Sequence, residues 1–267
     1  MEKEVLRKLQ LVELDILKQI HRFCLSNEIK YSLYAGTALG AVRHKGFIPW
    51  DDDIDIVMTR NEYNKFIKTW NEKPIDGLFM ENTETDEKCS INHTKIRKEG
   101  TVLLSAGEDK EQGHHGIWID IFVFDKVKSG FRSEKSIYYN GIKRILLTRG
   151  NRRSSTDSIG KKVMKKILSF IPEEIRQKKL KKADCNIQKY NLLENDFMWV
   201  DTSAAQYIKL RFPKALTNSY VEILFENEHF LIFKDYDTLL TIEYGEYMKL
   251  PALEERICKH SPVQITF

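Results

Sequence analysis

The feature that most constrains the fold of this chain is a run of four aspartates that leads directly into an apolar, β-branched segment. Because side chains alternate between the two faces of a strand, the sequence predicts Asp51, Asp53 and Asp55 on one face and Asp52 on the other. Three like charges on one face repel each other unless a cation offsets them, and oxygen ligands suit a hard ion. The run therefore predicts a site for Mg²⁺ or Mn²⁺. An acidic surface loop is the alternative.

A second strand, predicted over residues 117–124, is apolar on both faces and contains a single carboxylate, Asp120. A lone carboxylate in such a strand is costly to bury unless it is paired, protonated or bound to a metal. Asp120 is therefore a further candidate metal ligand. His114 and His115 could also be ligands, although two histidines beside a glycine turn are more typical of a loop.

A small turn, Gly36-Thr37, lies between a predicted strand at 31–35 and a predicted short helix at 38–43. Thr37 can cap this helix. The backbone N–H groups of the turn and of the helix N-terminus form an anion site suited to phosphate. An ordinary strand–turn–helix is the alternative, and the aspartates that follow favour the phosphate site.

Hydrophobic periodicity predicts an α/β protein with a long first helix over residues 3–26. Further helices are predicted at 59–70, 137–147, 159–171 and 235–244, with strands at 78–81, 93–97 and 101–104 and a hairpin over 220–233. A capping box, Thr59 with Glu62, opens the second of these helices. The chain divides into segments 1–125, 126–190 and 191–267, and because no flexible linker separates them we expect one continuous domain.

Charge is distributed unevenly along the chain. The formal net charge is +4, but residues 126–182 contain 18 lysines and arginines against 4 acidic residues. Basic helices of this kind are typical of a surface that contacts anionic lipid or a polyanionic acceptor, and solvated helix faces are an equally good interpretation. The sequence contains no nucleic-acid-binding motif, so we expect no nucleic-acid partner.

The cysteines, Cys24, Cys89, Cys185 and Cys258, are widely spaced and form no zinc pattern, which is typical of reduced thiols. The first residues are charged, and no apolar stretch reaches the length of a membrane span. We therefore expect a cytoplasmic protein that contacts the inner face of the membrane peripherally.

The glycine turn, the Asp-x-Asp of the next strand and the later Asp120 together resemble the layout of the nucleotidyltransferase fold. Residues 34–55 resemble the signature of the LicD family almost throughout, and residues 116–122 resemble its second block. Residues 244–251, with Arg256 and His260, resemble the C-terminal block of that family. The sequence departs from the family pattern at Val123-Phe124-Asp125, where Pro-Leu-Asp is expected, and at Ala252, where a second proline is usual.

This resemblance implies a nucleotidyltransferase-like mixed sheet flanked by helices, with a basic helical insertion. It also implies transfer of phosphocholine, or of a related polyol phosphate, from a CDP-activated donor to a sugar hydroxyl of a glycan precursor. Such precursors include teichoic acid, lipopolysaccharide and capsule, as free or lipid-linked glycans. The fukutin-related transferases are similar at a greater distance.

Two metal ions can neutralise the diphosphate of the donor and stabilise the attacking and leaving oxygens. We expect Asp53 and Asp55 to bridge both ions, Asp51 to be an additional ligand, and Asp120 to hold the metal nearest the acceptor and to act as general base. Arg43, Lys45, Lys95 and Arg97 are candidates to neutralise phosphate oxygens, with plain surface cations as the alternative. A choline head group or a base would stack on aromatic rings, for which the candidates are Tyr34, Trp50, Trp118 and Tyr247, all of which could equally be core residues.

Three other functions remain open from the sequence. A glycerol- or ribitol-phosphate transferase would use the same site, and a true nucleotidyltransferase would keep the metal site but attack the other phosphate. A non-catalytic binding module is the alternative of a different class. It is disfavoured because a silent site usually lacks a carboxylate, and here all of them are present.

Overall fold

The centre of the fold is a mixed sheet of six strands, seen in a computed structural model that describes residues 1–85, 89, 91–105, 113–128, 134–148, 158–204, 210–258 and 262–267. The helices are α1 (Lys3–Ser26), α2 (Ala35–His44), α3 (Arg60–Glu72), α4 (Glu134–Thr148), α5 (Ile159–Ser169), α6 (Glu173–Gln188) and α7 (Tyr236–Tyr244). The strands are β1 (Ser32–Leu33), β2 (Asp55–Thr59), β3 (Leu78–Glu81), β4 (Thr94–Lys98), β5 (Val102–Ser105), β6 (Trp118–Lys128), β7 (Phe197–Asp201), β8 (Tyr220–Phe225), β9 (Glu228–Phe233) and β10 (Pro262–Thr266).

The strand order in the main sheet is β1-β2-β6-β4-β3, and β7 also pairs with β6. Strands β2 and β6 are parallel, with Asp55 opposite Asp120, and the remaining pairs in this sheet are antiparallel. The long strand β6 has two partners in succession: β4 pairs with its residues 118–121 and β7 with its residues 124–128. The hairpin β8–β9 and the pair β5–β10 form two smaller sheets.

The two faces of the main sheet are covered by different parts of the chain. Alternate residues of β2 and β6, among them Ile56 and Ile121, pack with the apolar sides of α1 and α3. The opposite face, with Val57 and Phe122, packs with residues of β7, β9 and α7. Asp55 and Asp120 lie on this second face, so the C-terminal part of the chain is needed to enclose the site.

The basic helices form a small cluster of their own around Leu146, Leu147 and Leu180, where α4 packs on α6. The predicted boundary at 125/126 falls within β6, and β7, from the third predicted segment, pairs with this strand. Strand β6 therefore crosses the first predicted boundary and joins the third segment to the main sheet through β7.

The predicted fold class, a mixed sheet flanked by helices, is confirmed. Two local predictions are wrong. The capping box does not form, because the Glu62 carboxylate accepts a hydrogen bond from the Lys30 N–H at 2.8 Å and Thr59 makes no side-chain cap. Helix α2 begins at Ala35 with Tyr34 as its N-cap, so Thr37 lies inside the helix and does not cap it.

Candidate active site

The aspartate run forms a tight carboxylate cluster before the strand begins. Strand β2 starts only at Asp55, and one oxygen from each of Asp51, Asp52 and Asp53 lies within 4.8 Å of the others. The prediction that strand alternation turns Asp52 away from Asp51 and Asp53 is therefore wrong, because these residues are not in a strand. Asp52 is only 2% exposed and joins the candidate metal ligands.

Helix α2 shapes this cluster through two of its small residues. A Cβ atom on Gly36 would lie 2.5 Å from Oδ2 of Asp51, so glycine allows the carboxylate to approach the helix backbone. The Thr37 hydroxyl accepts a hydrogen bond of 2.8 Å from the backbone N–H of Asp55. The turn predicted to bind phosphate therefore positions the aspartates in this structure, and its role as an anion site stays a prediction.

Asp120 lies beside Asp55 in the parallel register and is paired with two basic side chains. Lys95 Nζ is 2.8 Å from Oδ1 of Asp120, and His93 Nε2 is 3.2 Å from the same oxygen. Burial would raise the pKa of Asp120, but the charges and hydrogen bonds of Lys95 and His93 outweigh it and hold the pKa well below its usual range. Asp120 is consequently ionised at neutral pH and can contribute a full negative charge to a cation site.

Helix α1 contributes two groups that the sequence interpretation missed. The Gln10 amide donates a hydrogen bond of 2.9 Å to the backbone oxygen of Asp51. Glu13 is 2% exposed, and its Oε2 has no hydrogen-bond partner within the described ranges. Burial, followed by the charges of Asp53, Asp52, Asp51 and Asp120, raises the pKa of Glu13 well above its usual range. Its position in the apolar stripe of α1 was the available signal, because a carboxylate in a buried stripe needs a partner.

The four predicted phosphate-binding cations lie in different environments. Lys95 contacts Asp120 and is part of the site. Arg43 lines a cavity beside Asp51, where its guanidinium donates to the backbone oxygens of Tyr247 and Lys249. By contrast, Arg97 is buried in an ion pair with Glu81 and donates to the Gly116 oxygen. Lys45 is the exposed C-cap of α2, with a φ of 60°.

The four predicted aromatic contacts also separate into two groups. Tyr34 is fully buried and packs edge-to-face on Phe122 and Phe124, so it takes the core alternative. Trp118 is nearly buried, with Lys95 Nζ already 4.0 Å from its ring centroid. Trp50 and Tyr247 line the cavity beside Asp51 and remain candidates for a choline or base contact.

This cavity, which we call the C-terminal pocket, has a volume of about 590 Å³ and is enclosed by residues 244–257 against α2 and the aspartate cluster. Arg256 lies over Trp50 at 5.5 Å and donates to the Pro251 oxygen at 3.0 Å, which helps to hold the polar tail over the site. Tyr247 donates to Asp237 at 2.6 Å. His260, also predicted in this block, lies outside the described residues.

The donor set fits a hard divalent cation. The clustered carboxylates of Asp51, Asp52 and Asp53 supply only oxygen, and the buried Glu13 carboxyl adds an oxygen for which the described residues provide no hydrogen-bond donor. The Gly36 cradle keeps Asp51 within this cluster. Binding of a cation by these residues would offset the negative charge that raises the pKa of Glu13.

Comparison with known proteins identifies the family. Lipopolysaccharide cholinephosphotransferase LicD of Haemophilus influenzae (strain ATCC 51907 / DSM 11121 / KW20 / Rd) is 34% identical over 273 residues, covering 97% of each chain. The chain belongs to the LicD family. Residues 28–143 match the family described as LicD/FKTN/FKRP, nucleotidyltransferase domain. This matched range includes the carboxylate cluster and Asp120.

Two shorter similarities add no function. Uncharacterized proteins of Rickettsia prowazekii (strain Madrid E) and Rickettsia typhi (strain ATCC VR-144 / Wilmington) are each 54% identical over 41 residues. The matched stretch covers 15% of this chain in both cases, and 15% and 13% of the respective relatives.

In the described part of the chain, every helix is too short or too polar to cross a membrane.

Proposed function

We propose that this chain is a metal-dependent phosphotransferase that moves phosphocholine from CDP-choline to a sugar hydroxyl of a cell-surface glycan precursor, releasing CMP. The observation that carries the proposal is the cluster of Asp51, Asp52 and Asp53, together with the facing pair Asp55 and Asp120, in a LicD-family chain. Lipopolysaccharide is the favoured acceptor class, because the full-length relative is named for it. Teichoic acid and capsule precursors present the same sugar hydroxyls.

Mg²⁺ or Mn²⁺, in one or two ions, would neutralise the diphosphate and the charge that develops during transfer. The aspartates would hold the cation. Asp53 is the most exposed of the five and lies nearest solvent. The sugar oxygen forms a bond to the phosphorus next to choline, the bond from that phosphorus to the CMP oxygen breaks, and the hydroxyl proton passes to water. Because its pKa is lowered, Asp120 is better suited to hold a cation than to accept this proton.

The C-terminal pocket is suited to the donor. Arg43 provides a positive charge beside Asp51, which favours a phosphate oxygen. Trp50 and Tyr247 provide aromatic surface, and Glu246 and Glu255 provide negative charge, which together favour a quaternary ammonium group. We infer that the nucleotide or choline part of the donor occupies this pocket.

A donor panel tests the proposal. Purified protein with Mg²⁺ receives CDP-choline labelled with ³²P at the phosphate next to choline, together with a lipopolysaccharide acceptor, and parallel reactions contain CDP-glycerol or CDP-ribitol. We expect label on the glycan and unlabelled CMP. Preference for a polyol donor would favour the polyol-phosphate alternative. Cytidine phosphate attached to the acceptor would identify a nucleotidyltransferase, and no turnover with any donor would favour a binding module.

We also propose that helix α5 lies on the anionic surface of the inner membrane, at the cytoplasmic face. Its side chains Ile159 and Ile167 are 82% and 63% exposed, and Phe170, just beyond the helix, is 78% exposed. Spacings of eight and three residues place them along one stripe, and Lys162, Lys165 and Lys166 flank it. Exposed apolar side chains beside lysines are typical of an interfacial helix, to which each lysine adds about 1 kcal/mol near anionic lipid.

Vesicle flotation tests this contact. Ile159→Glu with Ile167→Glu should abolish flotation with vesicles that contain phosphatidylglycerol, and replacing the lysines at 161, 162, 165 and 166 by glutamine should weaken it more at low salt than at high salt. Leu192→Glu is the matched control, because Leu192 is 89% exposed but lies outside α5. Unchanged flotation of both the isoleucine variant and the lysine variant would show that the exposed side chains of α5 are a solvated helix face.

A further inference from the structure

A second cavity, which we call the amide cleft, lies between α3 and α6 and has a volume of about 440 Å³. Its lining is dominated by neutral side chains that both donate and accept hydrogen bonds, from two helices and three loops. Those used in the argument are Tyr63, Asn64, Asn82, Asn92, Gln188 and Thr202. Such groups match the hydroxyls of a sugar, each of which also donates and accepts. Tyr63, Asn82 and Thr202 already form hydrogen bonds within the protein. Asn64, Gln188 and the Asn92 Oδ1, which has no partner among the described residues, are therefore the groups that a sugar would contact.

The charged groups of the amide cleft are largely neutralised within the protein. Arg60 forms an ion pair of 2.6 Å with the buried Asp125, and Lys143 forms one of 2.6 Å with Asp184. Lys68 and Glu84, both exposed, also line the cleft, so its remaining charges are of opposite sign. A nucleotide or phosphate is best bound where cations predominate, whereas a neutral polyhydroxyl compound requires the amides and hydroxyls found here. The balanced charge therefore favours a saccharide.

The amide cleft and Asp120 lie on opposite faces of the main sheet, and His93 is the side chain that links them. On β6, pairing with β4 ends at Ile121 and pairing with β7 begins at Phe124. Between these pairings the Thr202 N–H donates to the Val123 oxygen and the Asn92 amide donates to the Thr202 oxygen, and His93 and Thr202 both line the cleft. His93 also lies 3.2 Å from Asp120, so this one side chain contacts both the cleft and the carboxylate site.

We propose that the amide cleft binds a sugar of the acceptor saccharide, with His93 as the link between this subsite and Asp120. This inference rests on the proposed function, because it assigns the acceptor half of that reaction. The C-terminal pocket lies beside Asp51, whereas the cleft is connected to Asp120 through His93, so donor and acceptor would occupy separate cavities. The basic helices then have a second role, since Gln188 of α6 and Lys143 of α4 form one wall of the cleft.

Kinetics with separate donor and acceptor measurements test the assignment. Asn64→Ala and Gln188→Ala should each raise the acceptor KM about tenfold, the effect of losing one hydrogen bond, while the Kd for CDP-choline with Mg²⁺, measured by calorimetry, stays unchanged. Asn64→Trp should fill the cleft and abolish transfer, again with donor binding intact. Asn61→Ala is the matched control, because Asn61 is an exposed asparagine of the same helix outside the cleft.

Unchanged acceptor KM values in all three cleft variants would overturn the proposal and leave the proposed function standing. If the wild-type protein transfers nothing from CDP-choline, the proposed function fails, and saturation-transfer NMR with methyl glycosides of glucose, galactose and N-acetylglucosamine tests the cleft by itself. A signal from any of these glycosides that disappears in Asn64→Trp but persists in Asn61→Ala supports the cleft as a saccharide site. No signal, or a signal that Asn64→Trp leaves unchanged, overturns it.

Discussion

Two buried aspartates on strand β6, Asp120 and Asp125, lie five residues apart and differ in the way their charge is neutralised. Burial would raise the pKa of each carboxyl, and in each case basic or hydrogen-bonding neighbours outweigh it and lower the pKa. For Asp125 these neighbours are Arg60, which binds both oxygens, and the side chains of Asn191 and Thr202. Its charge is matched by one guanidinium in a closed arrangement.

Asp120, in contrast, is part of a group with a large excess of negative charge. Lys95 and His93 neutralise it, but Asp55 lies opposite it in the sheet, and the cluster of Asp51, Asp52 and Asp53 lies close enough that its charges, with that of Asp120, raise the pKa of Glu13. Burial and a lowered pKa are therefore shared by a structural and a candidate catalytic carboxylate. The neighbouring charges distinguish the two, because Asp125 is bound by a guanidinium whereas Asp120 lies near other carboxylates.

The largest expected difference is in activity. Asp120→Asn should lower the transfer rate by at least about 10²–10³-fold, the scale for removing one group that stabilises transition-state charge. The change should lower the melting temperature modestly, because Lys95 and His93 lose the charge that they stabilise, while repulsion with Asp55 is relieved. CMP release under saturating donor and a thermal melt measure both quantities. Wild-type turnover in Asp120→Asn would remove the distinction between the two aspartates.

Asp125→Asn should show the opposite result. Arg60 would remain buried without a charge partner, which costs about 3–5 kcal/mol of unfolding free energy. Urea denaturation measures this loss, and the Kd for CDP-choline with Mg²⁺ should be unchanged, because Asp125 has no contact with the carboxylate cluster among the described residues. A variant as stable as the wild type would show that the Arg60 pair is replaceable.

Glu243 extends the comparison to a buried carboxyl whose pKa is raised rather than lowered. Burial raises the pKa of Glu243 to about 8, and the charge of Asp201 adds to this effect. A hydrogen bond from Tyr34 opposes it. Between about pH 4.5 and 8 the unfolded chain loses this proton while the folded chain keeps it, so stability should fall as pH rises. Glu243→Gln should flatten that dependence and add roughly 2–4 kcal/mol of stability at pH 8.

Urea denaturation at pH 5 and pH 8 measures this effect. Glu246→Gln is the control, because Glu246 is exposed in the segment just after α7 and should alter neither value. An equal pH dependence in wild type and Glu243→Gln would show that Glu243 is already ionised in the folded protein.

The smallest expected effect is on metal affinity. Lys95→Met removes a positive charge beside Asp120, so the affinity for Mg²⁺ should rise by about tenfold, since a pair near a protein surface is worth on the order of 1 kcal/mol or more. Titration of the melting temperature with Mg²⁺ measures the change. Weaker Mg²⁺ binding in Lys95→Met would indicate that Lys95 positions Asp120 for the ion.

Sequence reasoning predicts best where one periodic pattern decides the structure. The apolar stripe of α1 and the apolar run of β6 give these elements to within a few residues, and Asp120 is recognised as the polar exception in its strand. Asp52 was placed on the wrong side because alternation applies only within a strand, and β2 starts three residues later. Local pattern could not show this, since the start of β2 is set by its pairing with β6.

Residues that join the site from other elements were also missed. His93 precedes β4, and only the pairing of β4 with β6 brings it to Asp120. Glu13 is far along the chain from all four aspartates whose charges shift its pKa, Asp51, Asp52, Asp53 and Asp120. The structural role of Arg97 was missed for the same reason, since its partner Glu81 lies on the neighbouring strand.

The absence of a side chain at residue 36 has a practical consequence. A single methyl group there would overlap the Asp51 carboxylate, whose χ rotation could relieve the overlap without disturbing the helix. Alanine at this position would thus misalign one oxygen donor while leaving every charge, and the C-terminal pocket lined by Arg43 and Trp50, in place. A protein altered in this way would be a suitable inactive form in which to crystallise the intact donor, because its electrostatic field would match that of the native enzyme.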